Sequence, residues 1–215
     1  MFAAPPDQSL EWSDAGVEGS HRFIKRLWRL TVSHIEQAQT LQIQLPITTL
    51  ATQLDEASRQ LRCKLHETIT KVEDDIDRRQ SFNTAVAAMM ELLNAITKLD
   101  VVNADQLAVA DEAIRGLLVM LMPFAPHIAE YLLTCLQVDV SVVRFPEVDV
   151  NALVKTMQTM VLQVNGKVRA KVEVDVDMSD DALIELAKNH PDVVRNMVGE
   201  IKKCIVVKGR LVNIV

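Results

Sequence analysis

The sequence predicts a mainly α protein: a helical bundle followed by a small α+β domain. As far as residue 136, apolar residues recur at helical spacing in long stretches. Beyond residue 151 the pattern shifts to alternation at period two, punctuated by Asn165-Gly166 and Gly209. Charge changes with it: residues 1–150 carry 13 Lys or Arg against 21 Asp or Glu, a balance of -8, whereas residues 151–215 carry 10 against 8, a balance of +2. These shifts divide the chain into an irregular opening segment (1–17), a helical domain (18–150) and a C-terminal domain (151–215).

The opening segment holds Pro5, Pro6, Asp7, Ser13, Asp14 and Gly16, residues that favour turns. From Glu18 to Ala38 the pattern predicts an amphipathic helix, with Phe23, Ile24, Leu27, Trp28, Thr31, His34 and Ile35 on its apolar side. Arg22, Lys25, Arg26 and Arg29 lie largely on the other side. That basic face fits a solvated bundle surface or a polyanion contact. After a linker containing Pro46, a second helix is expected over 53–78, striped by Leu54, Leu61, Leu65, Ile69, Val72 and Ile76. Val86, Met89, Met90, Leu93 and Ile96 stripe a third helix (83–98), where the methionines read as core filler and Phe82 covers the entrance. A fourth helix spans 105–122. Pro123 and Pro126 break the chain before a fifth, with Ile128, Ala129, Leu132, Leu133 and Leu136 inside. Val138, Val140, Val142, Val143 and Phe145 then read as β-like, and Pro146 to Asn151 as a linker.

In the C-terminal domain, Asn165-Gly166 supplies the positive backbone dihedrals of a hairpin, with Val168, Ala170, Val172 and Val174 alternating after it. A two-residue loop would set Val164 opposite Lys167 and Leu162 opposite Arg169, mixing apolar and charged groups on one face. A three-residue loop with a bulge at Gly166 would pair Leu162 with Val168 and Met160 with Ala170, and is preferred; it also leaves Gln163 beside Lys167. Lys167, Arg169 and Lys171 then form a row on one strand face, about 6.6 Å apart. The spacing suits successive phosphates, and it equally suits an ordinary solvated face. A helix capped by Ser179 follows, then a helical turn over 193–197 ended by Gly199, and strands over 203–207 and 211–215 around Gly209.

At 215 residues and 49% hydrophobic content the chain can build proper cores. No apolar run reaches the roughly 20 residues of a membrane span, and no basic leader is evident, so the expectation is a cytoplasmic, non-membrane protein. Cys63, Cys135 and Cys204 are odd in number and far apart, which points to reduced core thiols. No phosphate-loop, dinucleotide, zinc-protease or nucleophile-elbow motif occurs, and the five histidines are scattered. Asp74, Asp75 and Asp77 point in different directions from a helix and read as a solvated acidic patch rather than a metal site. The expectation is no catalytic, cofactor-binding or metal-binding residue.

The helices and hairpin together carry a resemblance. Met1-Phe2-Ala3-Ala4-Pro5-Pro6, Leu10-Glu11-Trp12, Gly16-Val17-Glu18-Gly19, Arg22-Phe23, Lys25-Arg26, Leu27-Trp28, His66-Glu67-Thr68-Ile69 and Phe82-Asn83-Thr84-Ala85 contribute to it. So do Met122-Pro123-Phe124-Ala125-Pro126-His127, the run from Val164 to Lys171, and Gly209-Arg210-Leu211-Val212-Asn213-Ile214-Val215. The chain resembles the carboxy-terminal part of bacterial-type leucyl-tRNA synthetases, with Tyr131-Leu132-Leu133 and Phe145-Pro146 where that family often carries tryptophan.

The resemblance implies a class Ia anticodon-binding-type bundle plus a small terminal domain, taken from a ligase that uses ATP, with Mg2+, to join leucine to its tRNA. The family's nucleotide-binding signatures and editing insertion have no counterpart in this sequence. It is therefore expected to position tRNA without catalysing the reaction. The family's helical domain packs along the tRNA body and its terminal domain reaches the corner where the D and T loops meet. Arg22, Lys25, Arg26 and Arg29 match the basic first helix; Lys167, Arg169 and Lys171 match the hairpin; Lys208 and Arg210 flank the final turn. The implied partners of this monomer are leucine tRNA and the catalytic remainder of the enzyme. The alternative is a helical protein-interaction module whose basic tail does not bind RNA.

Overall fold

The computed structural model describes residues 14–154, 157–197, 203–207 and 209–214. The chain divides into two compact units, one running to Leu153 and the other from Val154. The first contains α1 (Asp14–Thr40), α2 (Glu56–Asp77), α3 (Phe82–Lys98), α4 (Ala104–Leu121), α5 (Pro126–Cys135) and a 3-10 turn (Val150–Leu153). The second contains β1 (Met157–Val164), β2 (Lys167–Asp175), α6 (Asp180–Asn189), α7 (Pro191–Val194), β3 (Cys204–Val207) and β4 (Leu211–Ile214). A mainly helical bundle followed by a small α+β domain is the predicted class.

Phe23, Leu27, Thr31, His34 and Ala38 form the buried stripe of α1, spaced by three or four residues. The helix starts at Asp14, earlier than predicted, with that carboxylate in its favourable first turn; residues 14–17 are therefore helical rather than irregular. Side chains cap the starts of α2 and α4, Asp55 accepting from the Ser58 N–H at 2.7 Å and Asn103 from the Gln106 N–H at 2.9 Å. Three helices end in an unusual way. Gln42, Gln80 and Gln137 adopt φ of 56°, 51° and 60°, a left-handed position usually given to glycine. In each case the next N–H reaches back into the last turn: Ile43 to Ala38 and Val138 to Leu133, five residues away, and Ser81 to Asp75, six residues away.

The central helix is α4, which packs against α1, α2, α3 and α5 and is buried on nearly every side. It approaches α2 so closely that a β-carbon on Gly116 would lie 2.9 Å from Leu65 Cδ1. Asp111, fully buried on this helix, is held by three elements. Its Oδ1 meets His34 Nε2 at 3.1 Å, and its Oδ2 accepts from the Ile47 N–H at 2.9 Å and from Arg115 Nε at 2.8 Å. Arg115 also donates to the Ile47 carbonyl at 2.7 Å, so both polar groups of that loop backbone are paired.

Two expectations are corrected in the bundle. The β-like stretch over 138–145 is irregular: Val138, Val140 and Phe145 pack onto the helical core, which buries them without a strand partner. The acidic run is not wholly solvated, because Asp75 is fully buried. It accepts from Lys71 at 2.9 Å, Thr84 at 2.7 Å and Arg79 at 3.3 Å, joining the end of α2 to the start of α3. Burial raises its pKa, yet these donors outweigh burial and hold it below the ordinary aspartate value. Met89 and Met90 do serve the core, and Phe82 meets Phe124 edge to face at 6.1 Å.

The second unit has a four-stranded sheet in the order β2-β1-β4-β3. β1 is antiparallel to β2 and parallel to β4, while β3 is antiparallel to β4. Leu183 and Ala187 of α6 and Val193 of α7 share a core with Met160, Leu162, Val164, Val174, Val212 and Ile214. Ser179 caps α6 as predicted, accepting from the Ala182 N–H at 3.3 Å. The next helical turn begins earlier than predicted, at Pro191, where the His190 ring accepts from the Asp192 N–H. Gly199 lies outside the described residues.

The preferred hairpin register does not form. Asn165 and Gly166, with φ of 50° and 75°, make a two-residue turn in which Val164 pairs with Lys167. Asn213 on β4 stabilises it: its Oδ1 accepts from the Gly166 N–H at 3.0 Å, and the Asn165 N–H donates to the Ile214 carbonyl at 2.9 Å.

Asp111→Ala should lower the unfolding free energy of the bundle by about 3 kcal/mol, read by urea denaturation, because it leaves Arg115 and two buried donors unpaired. Asp75, and Glu112 described below, have folded pKa values under their ordinary ones, so their stabilisation is complete above the unfolded pKa of about 4. It is lost as pH falls through the lower folded values. The urea midpoint should thus hold between about pH 7 and pH 5 and drop below about pH 4, and Asp75→Asn with Glu112→Gln should shrink that drop. Gly166→Ala should destabilise the hairpin by about 1 kcal/mol, seen as faster amide exchange along β1 and β2.

Candidate nucleic-acid interface

The predicted cations fall into two groups, one in each unit. On α1, Arg22, Lys25, Arg26 and Arg29 are all exposed. Arg22 pairs with Glu18 at 2.9 Å, both side chains reaching water, so the pair holds the arginine only weakly. Arg26 donates to Asn94 on α3 at 2.7 Å and is thereby oriented without being neutralised. Lys25 and Arg29 have no hydrogen-bond or ion-pair partner among the described residues. Arg26 and Arg29 border a cleft of about 350 Å³ floored by Leu30, Ile96 and Ile114.

On β2, Lys167, Arg169 and Lys171 are exposed and without an ion-pair partner among the described residues. Their alternation is broken. Gln163 pairs with Val168 and Leu162 with Ala170, so Arg169 is an extra residue, a bulge, and Gln163 is not beside Lys167. Lys167 consequently shares its register position with core-facing Val164, while Lys171 shares that of Val161 on the opposite side. The bulge reconciles the turn with the core: without the skipped residue, a two-residue turn would bring Arg169 opposite Leu162. The three cations occupy the tip, the bulge and the flank of the hairpin rather than one flat row. Arg210 is exposed in the β3–β4 turn, and its carbonyl accepts from the Val161 N–H at 3.1 Å. Lys208 lies outside the described residues, as does the opening segment up to residue 13.

The polar centres of the bundle are structural in their connections. His66 Nδ1 accepts from the Asp149 N–H at 3.1 Å, which places the proton of the neutral ring on Nε2, 3.6 Å from Glu112 Oε1. Arg62 spans Glu112, at 2.7 Å, and Asp149, at 3.0 Å. Burial pushes the Glu112 carboxyl up, but the His66 ring and the Arg62 guanidinium hold it below the ordinary glutamate value. This cluster ties the chain ahead of the 3-10 turn to α2 and α4. No three His, Cys, Asp or Glu side chains gather as a metal site among the described residues. Cys63, Cys135 and Cys204 form no disulfide with one another; Cys63 and Cys204 are half-buried, and Cys135, on the outer side of α5, is exposed rather than in the core. No helix among the described residues is long and apolar enough to cross a membrane.

Two contributors escaped the sequence reading. Asn213 supports the hairpin tip from β4, and the Val164-Asn-Gly and Leu211-Val-Asn motifs gave no sign of meeting. Tyr131 stacks on Trp28 at 5.3 Å and 10°, a pairing between α5 and α1 that helical periodicity does not reveal.

Comparison with known proteins sets this geometry in a family. Residues 58–184 match the family model for the anticodon-binding domain of tRNA ligase. Over its whole length the chain is 53% identical to a leucine–tRNA ligase of Acinetobacter baylyi, covering 24% of that protein. It is likewise 47% identical to the leucine–tRNA ligase of Alcanivorax borkumensis, covering 26% of it. The chain thus spans about a quarter of the length of the curated relatives it matches. In fold it is similar to the LeuRS of Agrobacterium radiobacter K84, solved as a ternary complex with tRNA and LeuAMS. That likeness has a TM-score of 0.72 at 22% identity and covers 99% of this chain and 27% of the other. With more than half its residues matching the family model, the chain belongs to the anticodon-binding domain family of tRNA ligases.

Proposed function

We propose that the chain is the tRNA-positioning C-terminal part of a leucyl-tRNA synthetase, binding leucine tRNA while the remainder of the enzyme uses ATP and Mg2+ to attach leucine. The observation that carries this reading is identity to leucine–tRNA ligases along all 215 residues. The exposed cations support it. A chain of net charge -6 keeps Lys25, Arg29, Lys167, Arg169, Lys171 and Arg210 facing water, where they create local positive potential despite the overall balance. Residues 18–150 would serve as the helical tRNA-binding domain and 151–215 as the terminal one, in a cytoplasmic monomer.

The two groups of cations have different mechanics. Those on α1 project from a rigid helix and fix a line of charge. Those on the hairpin sit on a turn whose backbone is tied to β4, so they too are held in place. Exposed cations of this kind meet phosphates wherever the backbone runs, whatever the base sequence. Both therefore supply affinity and register rather than sequence discrimination.

Replacing Lys167, Arg169 and Lys171 by Gln should weaken binding to leucine tRNA. It should also reduce the slope of log affinity against log salt by about 2, since each phosphate contact contributes about 0.7–0.9. The measurement is filter binding of the full chain across salt concentrations, with an unrelated tRNA and duplex DNA for comparison. A folded triple variant whose affinity and slope equal the parent's would show the hairpin cations to be merely solvated. Absence of tRNA binding by the parent would favour a protein-interaction module.

A further inference from the structure

The side of α1 next to its cationic ridge presents an aromatic surface with no role in the phosphate contacts proposed above. Trp28 and Tyr131 are stacked, with centroids 5.3 Å apart and planes 10° from parallel. They nevertheless remain 40% and 55% exposed. Other bundle aromatics turn inward: Phe23 is buried, Phe124 packs on the core, and Phe82 packs on Phe124. A flat aromatic pair held in water is a ready contact surface. Lys25 precedes Trp28 by three residues and exposed Val32 follows it by four, so all three share one side of the helix, with Arg29 on the adjoining ridge. Glu130 adjoins Tyr131 in sequence, but it forms no ion pair with Lys25 or Arg29.

We propose that Trp28 and Tyr131 form a stacking platform for an unpaired base of the bound RNA, with Lys25 and Arg29 holding the phosphates beside it. The inference rests on the tRNA-binding reading. RNA is the occupant that the surface favours, because cations without partners adjoin a π face, the combination by which proteins hold unstacked nucleotides. Residues 151–215 contain no Phe, Trp or Tyr, so the terminal domain has no large aromatic platform of this kind. The bundle supplies what that domain lacks.

The test uses the full chain with Trp12→Phe, which leaves Trp28 as the sole tryptophan. Leucine tRNA and a short single-stranded oligouridylate are titrated against Trp28 emission, with an RNA duplex as control, and tRNA affinity is measured separately by filter binding. The expected result is saturable quenching by tRNA and by the single strand, and little by the duplex. Trp28→Leu and Tyr131→Leu should each weaken tRNA binding about fivefold or more with an unchanged salt slope, whereas Trp28→Phe should keep most of the affinity. Lys25→Gln should instead lower the slope. Saturable tRNA binding that leaves Trp28 emission unaltered, or a folded Trp28→Leu variant that binds like the parent, would overturn the platform and leave the tRNA reading standing. Emission that changes only when the rest of the synthetase is added would assign the pair to a protein interface and also overturn it. If the parent binds no tRNA, both readings fall.

Discussion

The bundle is organised around a carboxylate that has nowhere to go but into a network. Because α4 is surrounded by four other helices, a polar group buried on it must find its partners inside the protein. Asp111 finds them on three separate parts of the chain: His34 on α1, the loop backbone at Ile47, and Arg115 one turn further along α4. An apolar residue at that position would pack, but it would not dictate where the loop between α1 and α2 lies. Asp75 does the same at the α2–α3 corner, and His66 with Arg62 does so for the chain leading to the 3-10 turn. Close packing supplies most of the stability, while these buried polar groups select one arrangement of the connections.

The terminal domain solves a different problem, that of period. A two-residue turn fixes which residues face one another at the tip, and the core of the sheet fixes which must face inward several residues later. The two requirements differ by one residue, and the bulge at Arg169 absorbs the difference. One consequence is chemical: the cations of β2 become distributed around the hairpin instead of lying in a single row. A distributed set suits a curved polyanion better than a flat one, and it tolerates variation in the base sequence beneath.

Positive charge is exposed in both units, whereas the stacked aromatic pair belongs to the bundle. The terminal domain contains no Phe, Trp or Tyr, whereas the bundle adds an exposed aromatic pair beside its basic ridge. Electrostatic contacts weaken with salt and stacking largely does not. The two kinds of contact proposed here would therefore respond differently to ionic strength.

Sequence alone determined the bundle helices and their buried stripes, the Ser179 cap and the place, though not the register, of the turn at Asn165-Gly166. It also exposed the family resemblance, through short motifs spread along the whole chain. These are local properties, set by periodicity, capping chemistry and residues that tolerate positive φ. The parts that sequence missed involve residues far apart in the chain. Asp75 looks like one more charge in an acidic run until Thr84 arrives from the next helix. Stretch 138–145 has strand composition, yet it lies on helices because the bundle offers apolar cover and no strand edge. The bulge at Arg169, the support of the turn by Asn213 and the stacking of Trp28 on Tyr131 likewise depend on partners brought together by folding. Tertiary structure decided these because a side chain's partner, unlike its local conformation, is set by which surfaces pack together.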